Sequence, residues 1–425
     1  MFTKNDPSGP GIDRKRHGNT ITLSQATITA HQRNPELKAF VYLPENYPGT
    51  QEGLPLSGIP VAVKDLIDTH DMPTAYGCPL FQGQYPAQDA NIVRQLKAAG
   101  ATIFGKTATT EFAWRHPAAT VNPWNVRHTP GGSSSGSAAA VAAGIVNIAI
   151  GTQTVGSVIR PAAYCGVVGF KPTYGQIPME GVQPLSGSLD HIGFITSDCH
   201  YASLCQQVII EHQTRITPLT DLKPRRVSLY FPEQWQAADE ELKALFLTLV
   251  NWLAAQGVEC SPLEASNQAP DWLAALDVIL AFEASQELSV KIGPGVSAAG
   301  DATVALIQQG RDISEQEYQA ALAFMQQCRR QRDYYFADSD LILSLAAPSV
   351  APAGLLSTGD ASFCAPWSFL GLPALTLPAG ISGRRLPIGL QLIGHSFKES
   401  ELISIACWFE SRLPRIKVPL KSGGE

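Results

Sequence analysis

The chain has 425 residues, 44% of them hydrophobic and 16% charged, enough apolar material for a large core in one big domain or two. A formal charge of −6, with no run of Lys or Arg to form a phosphate-binding stripe, argues against a nucleic-acid partner. No stretch approaches the ~18 apolar residues of a membrane span, the polar opening MFTKNDPSGPGIDRKRHGN has no apolar segment of the signal-peptide kind, and eight cysteines lie scattered without CxxC pairs, so the expected compartment is the cytoplasm.

Residues 1–20, rich in Gly, Pro, Asn and charge, read as a loose tail, and 21–425 as one domain. After the short amphipathic segment LSQATITAHQ comes LSGIPVAVKD, whose apolar β-branched residues suit a buried strand. DANIVRQLKAAGA has apolar residues at three- and four-residue spacing and predicts a helix closed by Gly100, and ATIFGKT returns as a strand. SAAAVAAG reads as a helix of small residues able to pack close to its neighbours, and ADEELKALFLTLVNWLAAQG (238–257) as an amphipathic helix ending in glycine. The stretch 270–336 is helical in pattern, a variable region where a substrate pocket is expected. DLILSLAAP, PALTLPAG and PIGLQLIG supply further buried strands. The strand–helix–strand rhythm predicts an α/β fold: a single large domain with a central mixed, mostly parallel sheet covered by helices.

Chemistry concentrates in residues 131–175, GGSSSGSAAAVAAGIVNIAIGTQTVGSVIRPAAYCGVVGFKPTYG, where Ser133, Ser134, Ser135 and Ser137 precede a second glycine-flanked turn carrying Ser157. A serine hydroxyl is a poor nucleophile at neutral pH unless a base takes its proton, and a lysine amine serves when burial lowers its pKa from ~10.4 toward 7 or 8. Lys64, at the end of the apolar strand PVAVK, stands where such desolvation is expected. The plainer alternative pairs Lys64 with Asp65 or Asp68 at a strand end. Gly132-Ser-Ser-Ser-Gly136 also matches G-x-S-x-G formally, which would make Ser134 the nucleophile, although a polar serine-rich turn is not a typical elbow. The nine histidines form no HExxH or other ligand cluster, so no metal and no cofactor is expected, and His191 in SLDHIG reads as part of a structural turn.

This stretch resembles the amidase signature family, whose pattern is a GGSS-G-S-AAAVA run, then GT-x-T-x-GS, P-A and G-x-K-P-T-x-G. GIPVAVKDLIDT (58–69), DANIVRQLKAAGATIFGKTATTEFA (89–113), SGSLDHIGFIT (186–196) and APWSFLGLPALTLPAGISGRRLPIGLQLIG (365–394) fit it too, in the expected order. The resemblance implies a catalytic triad of Lys64 as base, Ser133 as bridge, held through a cis Gly132–Ser133 peptide, and Ser157 as nucleophile. It implies an oxyanion hole in the backbone N–H groups of Thr154, Val155, Gly156 and Ser157. Ser134, Ser135 and Ser137 then read as turn and helix-cap hydroxyls. Two departures stand out: Val155 occupies a position usually held by glycine, and Gln153 one often held by Asp.

Arg160 follows the nucleophile by three residues, in S-V-I-R, similar to malonamidase-type and carboxybiuret hydrolase-like members whose substrates carry a carboxylate beside the amide. Two roles stay open for it: a grip on that carboxylate, or a loop support on backbone carbonyls. The implied activity is hydrolysis of a small linear amide through an acyl-enzyme, with the pocket shaped by 270–365 and a homodimer among the assemblies the family uses. A second class is an inactive or accessory subunit of the kind found in glutamine-dependent aminoacyl-tRNA amidotransferases. The segment TYGQIPMEGVQPLSGSLDH favours the stand-alone enzymes.

Overall fold

A computed structural model of the chain describes residues 20–49 and 51–418. The expected tail lies outside them except for Thr20, whose hydroxyl accepts from Tyr201 OH. Eleven strands form a single sheet: β1 (Phe40–Tyr42), β2 (Pro60–Lys64), β3 (Thr102–Thr107), β4 (Ile148–Gln153), β5 (Val168–Lys171), β6 (His191–Thr196), β7 (Arg226–Leu229), β8 (Glu259–Pro262), β9 (Leu341–Leu345), β10 (Ala374–Ile381) and β11 (Pro387–Ile393). Their spatial order is β1-β3-β2-β4-β6-β5-β10-β11-β9-β7-β8.

The α/β class and the mixed sheet are as expected, but the sheet is not mostly parallel. Parallel pairing is confined to two wings, β3–β2–β4 and β9–β7–β8, while every neighbouring pair from β4 across to β9, and the edge pair β1–β3, is antiparallel. The rhythm read from the first strand–helix–strand unit does not extend to the centre. There β10 and β11 are joined by the short turn 382–386, and strands linked so closely can only run antiparallel.

The helices sit where their apolar faces dictate. Asn91–Ala98 turns Ile92, Val93 and Leu96 inward against β3, and Gly100 follows it in the left-handed region (φ 93°). Ser135–Ala142, made of small residues, lies across β2, β3, β4 and β6 so closely that a Cβ on Gly136 would strike the backbone of Ala39 and Ala108. Asp301–Arg311 and Glu315–Gln331 both pack on Ala269–Ile292, around a second apolar cluster that includes Trp272, Ile279, Leu288 and Leu306. Among the described residues no helix is long and apolar enough to cross a membrane.

Candidate active site

Lys64 ends β2, a strand with all five residues buried between β3 and β4. Its side chain is fully buried, and Nζ donates to Ser133 Oγ (2.7 Å) and to Thr152 Oγ1 of the adjacent β4 (2.8 Å). Burial holds the amine well below its ordinary pKa, opposed only by the charge of Asp190. The alternative pairing with Asp65 or Asp68 is not what the fold makes. Asp65 faces a different buried lysine, Lys106 of β3, at 3.6 Å, and Lys106 Nζ also donates to Ile67 O (2.7 Å) and Thr74 Oγ1 (2.5 Å). Desolvation pushes Lys106 down to about 8 and Asp65 up to about 6, their mutual attraction opposing both shifts. Sequence reasoning passed over Lys106, although ATIFGKT shows the same sign as PVAVK: a lone cation in an apolar strand.

The serine run enters helix Ser135–Ala142 through Gly131, in the left-handed region at φ 82°, and a cis Gly132–Ser133 peptide. Contrary to expectation, the hydroxyls that follow do not cap that helix. Ser134 Oγ donates to Thr152 O (3.2 Å) and Ser137 Oγ to Ile150 O (3.0 Å), so both turn toward β4 and stitch the helix to the sheet, while Ser135 Oγ reaches Ser133 O at 3.5 Å. Ser134 is completely buried and does not line the cleft, which leaves the elbow reading without a reachable nucleophile.

Ser133, Thr154, Val155, Gly156, Ser157 and Arg160 all line a cleft of about 500 Å³. Ser157 is 8% exposed, and Ser134 N–H donates to its carbonyl (3.3 Å), tying the serine run to the turn that carries Ser157. That turn is braced by groups the sequence did not reveal. Gln153 Oε1 accepts the N–H groups of Val158 (2.8 Å) and Ile159 (3.0 Å), its Nε2 donates to Ser368 Oγ (3.1 Å), and Ser368 Oγ donates to Val155 O (2.7 Å). Gln153, at the end of β4, thus has its own task of capping the start of the helix Ile159–Cys165. Val155 is accommodated because its φ is not positive, so a Cβ there carries no left-handed strain. Gly156 is not replaceable in the same way: a Cβ would sit 3.1 Å from both Ala361 Cβ and Cys364 Cβ.

Arg160, on the helix after Ser157, is buried, with one nitrogen donating to Gly132 O (2.8 Å) and Thr358 Oγ1 (3.2 Å). Its Nε is buried without a partner, and among the described residues no carboxylate lies within 4.0 Å of the guanidinium. Burial lowers its pKa. The cleft is also lined by Trp114, Arg115, Asp277 and Leu280, and by the loop Leu356–Ala361. His191 does not lie in a turn: it opens β6, buried, with Nδ1 against Gln153 O (3.3 Å), and desolvation holds it neutral. His70, Asp71 and Asp89 bring ligand-type atoms within 4.8 Å of one another, but that site is away from the cleft and Lys97 already bridges both carboxylates (2.8 and 3.1 Å).

Comparison with known proteins gives the family and the fold. A family model described as Amidase matches residues 34–403. A glutamyl-tRNA(Gln) amidotransferase subunit from Cyanothece sp. is 30% identical over 458 aligned positions, covering 93% of this chain and 90% of that protein. A crystal structure of an amidase superposes with a TM-score of 0.81 at 27% identity, over 92% of this chain and 95% of that one. The peptide amidase of Stenotrophomonas maltophilia does so with 0.77 at 25%, over 94% and 95%.

Proposed function

The chain belongs to the amidase signature family, and from that premise we propose that it hydrolyses the C–N bond of a small linear amide through an acyl-enzyme on Ser157. The observation that carries this reading is the buried Lys64 amine on the Ser133 hydroxyl, at the wall of the cleft that Ser157 lines. In the neutral form favoured by burial, the amine is a base. Ser157 Oγ attacks the amide carbon, its proton passes to Ser133, and Ser133 gives its own proton to Lys64. The oxyanion is held by the backbone N–H groups of Thr154, Val155, Gly156 and Ser157, in a turn that Ser368 braces at Val155 O and Gln153 braces through the N–H of Val158. The same relay, reversed, delivers the proton to the departing ammonia or amine, and water then repeats the attack on the ester to release the acid.

The cleft's size suits a small substrate. A buried guanidinium without a carboxylate partner in the protein favours an amide that brings its own carboxylate, in line with the malonamidase-type and carboxybiuret hydrolase-like likeness. The relatives named as amidotransferase subunits favour a second reading, in which the chain works within a larger assembly. Ammonia release by the purified chain from malonamate, biuret-type ureas, short fatty amides, aryl amides and glutamine separates the two. Turnover of an anionic amide by the chain alone supports the first reading. Turnover confined to glutamine, and only when partner proteins are added, supports the second.

A further inference from the structure

Two elements outside the serine motifs converge on the turn Thr154–Ser157. From one side comes Asp190, buried just before β6. Its Oδ1 accepts from Thr154 Oγ1 (2.6 Å), and its Oδ2 from the N–H groups of Leu185 (2.8 Å) and Ser186 (3.0 Å). The segment carrying Asp190 is itself clamped by Glu283 of helix Ala269–Ile292. That carboxylate accepts from Ser186 Oγ (2.6 Å), Ser188 N–H (2.9 Å), Ser188 Oγ (2.5 Å) and Tyr318 OH (2.8 Å). From the other side, Arg329 donates to the carbonyls of Ser188 (3.0 Å), Ser368 (3.3 Å) and Phe369 (2.8 Å), and the Ser368 hydroxyl holds Val155 O. Two of the three helices of the variable region, Ala269–Ile292 and Glu315–Gln331, thereby reach the turn through two polar chains.

Resting on the hydrolase reading, we propose that Asp190 is a positioning residue of the reaction: it anchors the Thr154 side chain, and with it the oxyanion turn. Every oxygen of Asp190 is spent on fixing 154, 185 and 186, so its carboxylate does not touch substrate. The charged and titratable groups that face it are Lys64 of β2, Glu283 of the long helix and Tyr174. The Lys64 amine is thus desolvated but not isolated: Asp190 is the group that opposes its loss of charge.

The substitutions Thr154→Val, Thr154→Ser and Asp190→Asn in the full chain separate positioning from mere stapling. The rate at which a fluorophosphonate probe labels Ser157 is measured alongside kcat and KM for the best amide of the screen. Thr154→Val keeps the shape but loses the anchor; a turn free to shift by ~1 Å costs about 10- to 100-fold in kcat and in labelling rate, with KM within about threefold. Thr154→Ser restores the anchor and the rate. Asp190→Asn lowers kcat similarly and, having removed the charge that favours the ammonium, moves the acid limb to lower pH. Should Asp190→Asn not fold, the two Thr154 variants decide alone. Rates of Thr154→Val within about threefold of the wild type, or a loss that Thr154→Ser does not restore and that tracks melting temperature, overturn the role. Because wild-type turnover and labelling are read in the same experiment, an active wild type with an unaffected Thr154→Val removes only this inference. A wild type that neither turns over nor labels removes the hydrolase reading and this one with it.

Discussion

Arg160→Met exchanges a guanidinium that is 6% exposed for an unbranched apolar chain of similar length. The arginine makes hydrogen bonds to Gly132 O (2.8 Å) and Thr358 Oγ1 (3.2 Å), and bonds from a charged donor contribute ~1.5–3 kcal/mol each. Against that stands a buried cation with no carboxylate within reach, whose desolvation costs several kcal/mol, on the order of what the two bonds return. Folding stability should therefore change little. Catalysis divides into two parts. Freeing the Gly132 carbonyl loosens the peptide before Ser133 and slows every substrate, by about tenfold for a modest misplacement. A substrate carboxylate additionally loses a desolvated charge-assisted contact of ~2–4 kcal/mol, roughly 30- to 1,000-fold in kcat/KM. The assay is kcat/KM for malonamate and for a neutral amide of equal size, in wild type, Arg160→Met and Arg160→Lys, with melting temperatures beside them. The ratio between the two substrates should collapse by that factor, less completely for lysine, which keeps the charge but not the fork. Equal losses on both substrates, accompanied by a fall in melting temperature, would refute the carboxylate anchor and leave Arg160 as the support of Gly132 and Thr358.

Lys64→Ala should lower kcat by ~100- to 10,000-fold, and Ser133→Ala by less, since water can stand in for a bridging hydroxyl; steady-state kinetics on one amide compares them. Wild-type activity should rise with pH as Lys64 deprotonates, and the limb should fall well below the ordinary lysine range because burial lowers this amine; a limb near the ordinary value contradicts a desolvated base. Val155→Gly should keep the turn and the rate within about threefold, whereas Gly156→Ala, forced against Ala361 and Cys364, should lose much more, as parallel kinetics of the two variants would reveal. Glu410, partly buried and accepting from Cys199 N–H, is pushed up to about 7 by desolvation of its carboxyl, with the charge of Asp198 adding to it. Its native pKa lies above the unfolded one, so its stabilisation is present below the ordinary carboxylate pKa and is lost as pH rises through about 7, by about 1–3 kcal/mol. Glu410→Gln should flatten that decline in urea unfolding measured from pH 4 to 8.

What could be read from the sequence was whatever a short motif encodes. PVAVK announced a buried lysine, the family resemblance of the two glycine-flanked turns singled out Ser133 and Ser157, and the fold brings Lys64 to Ser133 and sets Ser157 on the same cleft. Lys106 carried the same local sign and was missed because no motif drew attention to it. Asp190, Glu283, Arg329 and Ser368 act on the turn from 36 to 213 positions away, and no periodicity reports a hydrogen bond that exists only once helices and sheet have met. The hydroxyls of Ser134 and Ser137 were assigned to the helix they open, yet the small residues behind them let β4 come close enough to compete, and its carbonyls won. The antiparallel centre escaped for a related reason: strand direction is set by connections, and only the first strand–helix–strand unit was plain in the pattern.

The account turns on which serine carries the acyl group, and one measurement addresses that directly. Labelling the native chain with a fluorophosphonate, followed by proteolysis and mass mapping, should place a single adduct on Ser157, abolished in Ser157→Ala and strongly slowed in Lys64→Ala. An adduct on Ser134, or undiminished labelling when Ser157 is alanine, would contradict it.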